Sequence, residues 1–205
     1  RFTSPQEILL RLIMAHRAHN FSAGPAVLPV PVLEEIQRDL LSLPDVAASI
    51  LEISHRGTPF LHILQQAEAD LRALLSIPED YAVLFLQGGS RLQFSMVPMN
   101  LLGERFDSAT YIVTGSWGKY AASEARKEAT VEVAWDGQAT NFDRLPQSHQ
   151  LQINPAAGYV HFTSNETIQG VQYATEPITG NTPLVCDASS DFLSRPLPIK
   201  KYGLI

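Results

Sequence analysis

The sequence predicts an α/β fold, a mostly parallel sheet flanked by helices, and three observations carry that prediction. Short apolar runs of strand length recur without polar alternation, as expected of strands covered on both faces. Segments with helical apolar spacing, or long connections, separate these runs. Clusters rich in glycine, serine and aspartate follow the expected strand ends, which is where an open α/β sheet gathers its ligands.

Composition narrows the class. With 205 residues and 45% hydrophobic content, the chain is large enough for one domain with a sizeable core. A formal net charge of −6 argues against a nucleic acid or another polyanion as the main partner. Cys186 is the one cysteine, which excludes an internal disulfide framework and a multi-cysteine metal site and fits a reducing compartment. No apolar run reaches membrane-spanning length.

Taken in order, Ile8, Leu9, Leu12 and Ile13 favour a short helix over a transit segment, and residues 20–25 read as a polar turn. Pro31 opens a helix over 32–41, with Val32, Leu33, Ile36 and Leu40 toward a core. A second helix over 59–75 carries Phe60, Leu64, Ala67, Leu71 and Leu74 on one face. Residues 82–86 read as a buried strand, ended by Gly88 and Gly89. Ser90 then caps a helix over 91–102 whose Leu92, Met96 and Met99 share a side.

Four further strands are expected at 110–114, 131–134, 159–163 and 184–186, and a helix at 119–127. Residues 136–154 are polar and loop-like, with a short helix of no fixed position. Residues 202–205 read as the start of another apolar strand, so the chain is expected to continue past Ile205.

Strand, diglycine turn and helix start together leave free backbone N–H groups at the positive end of a helix dipole, a spot that suits a phosphate. Trp117 offers a face for stacking, and Asp187, directly after a buried run, offers a carboxylate that can hold a ring nitrogen protonated. Thr167 can hydrogen-bond a ring substituent, and His55 with Arg56 forms a separate basic pair. Each has a plainer structural reading: Trp117 as packing, Asp187 and Thr167 as turn caps, His55 and Arg56 as a solvated pair. Cys186 reads as an inert buried thiol, and His161 is assigned no role. Together the clusters describe a ligand with a phosphate, an aromatic face and a basic ring nitrogen.

The blocks NFSAGPAVLP, LEISHRG, VLFLQGGSRLQF, VPMNLL, TGSW, SNETIQGV and CDASSDFLSRP, in that order, resemble the phosphoserine aminotransferases, fold-type-I enzymes dependent on pyridoxal 5′-phosphate. The resemblance implies that residues 20–205 are part of the large cofactor-binding domain of such an enzyme, with residues 1–19 an N-terminal extension. It implies that Ser90 and Arg91 bind the cofactor phosphate, Trp117 stacks on the pyridine ring, Thr167 contacts the cofactor and Asp187 pairs with the ring nitrogen. His55 and Arg56 match the substrate-anion residues. The implied reaction moves the amino group of L-glutamate to 3-phosphohydroxypyruvate, in serine and pyridoxine biosynthesis, in a cytoplasmic homodimer without metal, membrane or nucleic acid.

The family's Schiff-base lysine is expected beyond Ile205, since Lys119, Lys127, Lys200 and Lys201 do not match its position. The alternatives are another fold-type-I aminotransferase, or a noncatalytic fragment that keeps the phosphate loop. A nucleotide-binding P-loop is disfavoured, because Gly88 to Arg91 lacks the lysine and spacing of that motif.

Overall fold

The computed structural model describes residues 17–205, and the helix expected around Ile8 to Ile13 lies outside the described residues. The chain divides into two compact units, Arg1–His62 and Ile63–Ile205. In the first, Arg17 donates to the carbonyl of Leu28 at 3.1 Å. Helix α1 (Val30–Leu41) begins where the fixed φ of Pro31 suits a first turn. The core face predicted for it is not buried: Val32, Leu33, Ile36 and Leu40 are all exposed. Amphipathic spacing fixes which residues share a face, whereas burial needs a second apolar layer.

Helix α2 (Thr58–Leu75) crosses from the first unit into the second. Its half-buried stripe of Phe60, Leu64, Ala67 and Leu71 ends on the buried Leu75, whereas Leu74 is exposed. Ser76 takes a left-handed φ of 52° and ends the helix. Arg72 then clamps the connection, donating to the carbonyls of Pro78 at 3.2 Å and Tyr81 at 3.0 Å.

Residues 82–86 do not form the expected strand. Leu84, Phe85 and Leu86 are all more than half exposed. An apolar run becomes a strand only when a neighbour completes its backbone hydrogen bonds, and none of the described residues pairs with it. The diglycine turn that follows is real, with φ 103° at Gly88 and 64° at Gly89. Helix α3 (Gly89–Leu101) starts two residues earlier than a helix capped by Ser90 would, and Gly88 occupies the cap position. The Leu92 side chain fills the space where a Gly88 Cβ would project, so that position needs glycine for its room and its φ. The buried face of α3 is Phe94, Val97 and Pro98; Leu92 and Met99 are exposed, a correction to the predicted side.

The chain continues through β1 (Ser108–Val113), helix α4 (Ser116–Ala125), β2 (Thr130–Asp136), β3 (Val160–Thr163), a separate hairpin of β4 (Asn165–Glu166) and β5 (Val171–Gln172), then β6 (Leu184–Asp187) and β7 (Tyr202–Leu204). The five long-range strands run in the order β2-β1-β3-β6-β7, and every pairing is parallel. Two 3-10 turns, Gly137–Thr140 and Ser148–Gln150, occupy the loop after β2. The antiparallel β4–β5 hairpin was not foreseen, because two-residue strands leave no periodic signature.

Both faces of the sheet are covered. Ala109, Tyr111 and Val113 of β1 join Phe94 and Val97 of α3 and Ala121, Ala122 and Ala125 of α4 on one side. Ile112, Val160, Phe162, Leu184 and Cys186 form the other core with Tyr173 and Tyr202. Small alanines on α4 let that helix lie close on the strands. Phe162 is fully buried between Tyr173 and Tyr202. Phe162→Ala is expected to lower the unfolding free energy by about 3–5 kcal/mol in urea denaturation, and a loss below about 1 kcal/mol would contradict this packing.

Candidate active site

The strand order reverses between β1 and β3, since the chain leaves β1 toward β2 on one side and continues from β3 toward β6 and β7 on the other. At such a point the loops after the two strands diverge and leave a crevice beyond their carboxyl ends. Residues 114–117 follow β1, residues 164–167 follow β3, and residues 187–190 end or follow β6. Chain order alone therefore brings three of the predicted clusters to one edge.

Hydrogen bonds tie these clusters together. The Ser90 hydroxyl lies 2.8 Å from that of Ser189. Ser189 in turn donates through both its hydroxyl and its N–H to Oδ1 of Asp187. The diglycine loop and the carboxylate are thus two hydrogen bonds apart. The carbonyl of Asp187 accepts from the Ser164 N–H at 2.9 Å, which locks the end of β6 to the end of β3. Asn165 donates to Ser190 at 2.8 Å, and the Ser190 hydroxyl returns to the Asn165 carbonyl at 2.9 Å.

Trp117 sits in the first turn of α4, half-buried, with its ring 5.9 Å from that of Tyr120. The Arg91 guanidinium lies 5.8 Å from the same Tyr120 ring, so one tyrosine joins Arg91 to Trp117. Thr167 is half-buried at the start of the β4–β5 turn. Beside it, Glu166 is fully buried and accepts the backbone N–H groups of Trp117 at 2.9 Å and Gly118 at 2.8 Å. Burial pushes its carboxyl above the usual range, those two N–H groups oppose the rise, and the nearby Asp187 charge adds to it.

Ser90, Arg91, Trp117, Thr167 and Asp187 are therefore linked around one sheet edge. His55 and Arg56 belong to the other unit, in an exposed turn where the Arg56 N–H donates to Ser54 Oγ at 3.2 Å. Among the lysines, Lys119 donates to Gln138 at 3.0 Å, Lys127 pairs with Glu124 at 2.6 Å and Lys201 lies 3.6 Å from Glu176. No group of histidine, cysteine, aspartate and glutamate among the described residues could hold a metal ion, and no described helix is long and apolar enough to cross a membrane.

The sequence profile described as "Aminotransferase class-V" matches residues 18–204. The chain belongs to the class-V aminotransferases. It is 52% identical over 190 residues to a phosphoserine aminotransferase of Rhodopirellula baltica, an alignment that covers 92% of this chain and 50% of that one. A solved phosphoserine aminotransferase from Bacillus circulans superposes with a TM-score of 0.87 at 44% identity, covering 92% of this chain and 52% of that one. The pyridoxal-phosphate-bound phosphoserine aminotransferase of Trichomonas vaginalis gives a TM-score of 0.83 at 35% identity, with coverage of 92% and 53%. The chain spans about half the length of these relatives.

Within this class-V chain, two residues at the edge and one in the strand beneath it were missed by sequence reasoning. Ser189 and Glu166 lay inside clusters already singled out, and the signal for Glu166 was an acid three residues past a buried strand. His161 was dismissed because it sits among core positions. It stacks on Tyr111 at 4.7 Å, and burial lowers its pKa to about 4 against a smaller opposing pull from Asp187. Cys186 is buried as expected, and burial pushes its thiol up to about 12.

A histidine held neutral in the fold binds its proton more readily when unfolded, so its contribution to stability is present above about pH 6.5 and is lost as pH falls toward about 4. Wild type is expected to lose about 2 kcal/mol more stability than His161→Gln between pH 7 and pH 5 in urea titrations. Equal losses in the two proteins would contradict a buried neutral imidazole.

Proposed function

We propose that this chain is the cofactor-binding part of a phosphoserine aminotransferase, which transfers the amino group of L-glutamate to 3-phosphohydroxypyruvate to give O-phospho-L-serine and 2-oxoglutarate. The observation that carries the reading is the hydrogen-bonded chain from Ser90 through Ser189 to Asp187, in a class-V aminotransferase chain whose relatives carry that activity. In this reading residues 20–205 belong to the large domain, residues 1–19 are an extension, and the enzyme acts as a cytoplasmic homodimer.

The donor set fits pyridoxal 5′-phosphate. The first turn of α3 offers backbone N–H groups, the Ser90 hydroxyl and the Arg91 guanidinium, which match a phosphate dianion. Gly89, with φ 64° and no atom within 4 Å of a built Cβ, leaves the approach to that turn open. When bound, pyridoxal phosphate supplies an electron sink that acidifies the Cα–H of an amino acid.

The rest falls to the protein. Asp187, a carboxylate at the end of a buried strand, holds a proton on the ring nitrogen by ion pairing. Trp117 provides a flat apolar face that fixes the ring plane and excludes water from one side. Thr167 offers a hydroxyl to a ring substituent. Arg56 pairs with a substrate carboxylate as a two-pronged donor, and His55 assists with the substrate anion. The lysine that moves the Cα proton is assigned to the half of the protein that the relatives have and this chain does not span.

A coupled assay with L-glutamate and 3-phosphohydroxypyruvate tests the reading in the full-length protein; turnover with those two substrates supports it, and its absence in cofactor-loaded protein contradicts it. Asp187→Ala is expected to lower kcat by about 100-fold or more with cofactor still bound, and near-normal kcat would remove Asp187 from the ring nitrogen. Arg56→Ala is expected to raise KM for the acidic substrate about 10- to 100-fold with a smaller effect on kcat. An unchanged KM would take Arg56 out of the substrate site.

A further inference from the structure

Helix α4 has no cap of its own. Its N-cap position is Gly115, which supplies no side chain to the free N–H groups of the first turn. Those groups are nonetheless satisfied, and every partner comes from the β4–β5 hairpin. The Ser116 N–H donates to Gln169 Oε1 at 3.1 Å, and Gln169 Nε2 donates back to the Ser116 hydroxyl at 2.7 Å. The next two N–H groups, of Trp117 and Gly118, go to the two carboxylate oxygens of Glu166, 49 and 48 residues away in sequence.

Space has been cleared for that carboxylate. A Cβ on Gly115 would lie 2.6 Å from Glu166 Cγ and Oε2, and one on Gly118 would lie 3.1 Å from Oε1. A fully buried acid is costly unless its oxygens are satisfied, and a helix start supplies both hydrogen bonds and a favourable dipole. A serine at position 115 would offer the helix a local cap without burying a charge. What a local cap cannot do is fix α4 against the end of β3, across the point where the strand order reverses.

We propose that Glu166 is the positioning residue of this site: it sets the location of Trp117 relative to its own neighbour Thr167, so that the two approach a bound ring as one unit. Gly115 and Gly118 are the bare positions that admit its carboxylate. The inference rests on the cofactor reading above, in which Trp117 and Thr167 both touch the ring.

The test separates holding the helix from placing the tryptophan. In the full-length protein, Glu166→Ala is compared with Glu166→Ala/Gly115→Asp, in which the vacated space receives a local cap. Amide hydrogen exchange at Trp117 and Gly118 is read without cofactor; affinity and induced circular dichroism are read with pyridoxal 5′-phosphate. Glu166→Ala is expected to speed exchange at both amides and to weaken cofactor affinity, each by about tenfold or more, with a smaller dichroism band. The double variant is expected to regain slow exchange but neither the affinity nor the band.

Full recovery of affinity and band by the local cap would overturn the positioning role and leave Glu166 a helix cap only. Unchanged exchange in Glu166→Ala would overturn the link between Glu166 and α4. Wild-type protein that takes up no pyridoxal phosphate would instead overturn the cofactor reading, with the exchange data still deciding what Glu166 holds.

Discussion

Five strands that all run parallel must open their carboxyl ends on one edge, and the rest of this structure follows from that constraint. Parallel strands need long crossovers, so the residues that meet at the edge come from distant parts of the chain. Ser90, Trp117, Thr167 and Asp187 gather there without any local motif holding them. The reversal of strand order between β1 and β3 adds the crevice. Because the flanking loops leave in opposite directions, something must bridge them, and the Glu166 carboxylate does so with two backbone hydrogen bonds.

The sheet beneath the edge is built to be stiff and dry. Ala109, Ile112, Val160 and Phe162 are fully buried, and so are the side chains of Tyr111 and Tyr159, whose hydroxyls meet at 2.8 Å. Burial raises the pKa of both phenols, so the pair stays neutral. His161, stacked on Tyr111, is neutral for the same reason. Two acids, Asp187 and Glu166, lie at the edge, and they differ in environment. Glu166 is enclosed and spent on the backbone of α4, whereas Asp187 is half-buried at the edge and turned to Ser189.

Most of the sheet was legible in the sequence. The runs around Ile112, Val133, Phe162 and Val185 carry the β-branched and aromatic residues favoured in strands, and each became a strand within a residue or two of its expected limits, although the edge strand around Val133 is only partly covered. Residues 82–86 carry the same signature and failed, because pairing is a property of two strands and the sequence displays only one. The face of α3 was misread because Leu92, Met96 and Met99 and the observed Phe94, Val97 and Pro98 both satisfy helical spacing; packing of Phe94 and Val97 against β1 and α4 distinguishes them. Ser90 was recognised at the right loop but does not cap the helix, since Gly88 holds the cap position and the Ser90 hydroxyl meets that of Ser189. Glu166 could not be read at all as a cap, because its partners lie 48 and 49 residues away. For His55 and Arg56 the sequence offers a role through resemblance, and the geometry describes only their own turn.

Pyridoxal 5′-phosphate bound at this edge, ready for amino transfer, is the proposal on which the rest depends. The most direct measurement is the intact mass of the full-length protein after incubation with pyridoxal 5′-phosphate and borohydride reduction, which fixes the cofactor to its lysine. One reduced cofactor adduct per chain is expected, lost when excess amino donor is added before the reductant. A protein that keeps its unmodified mass under the same treatment would contradict it.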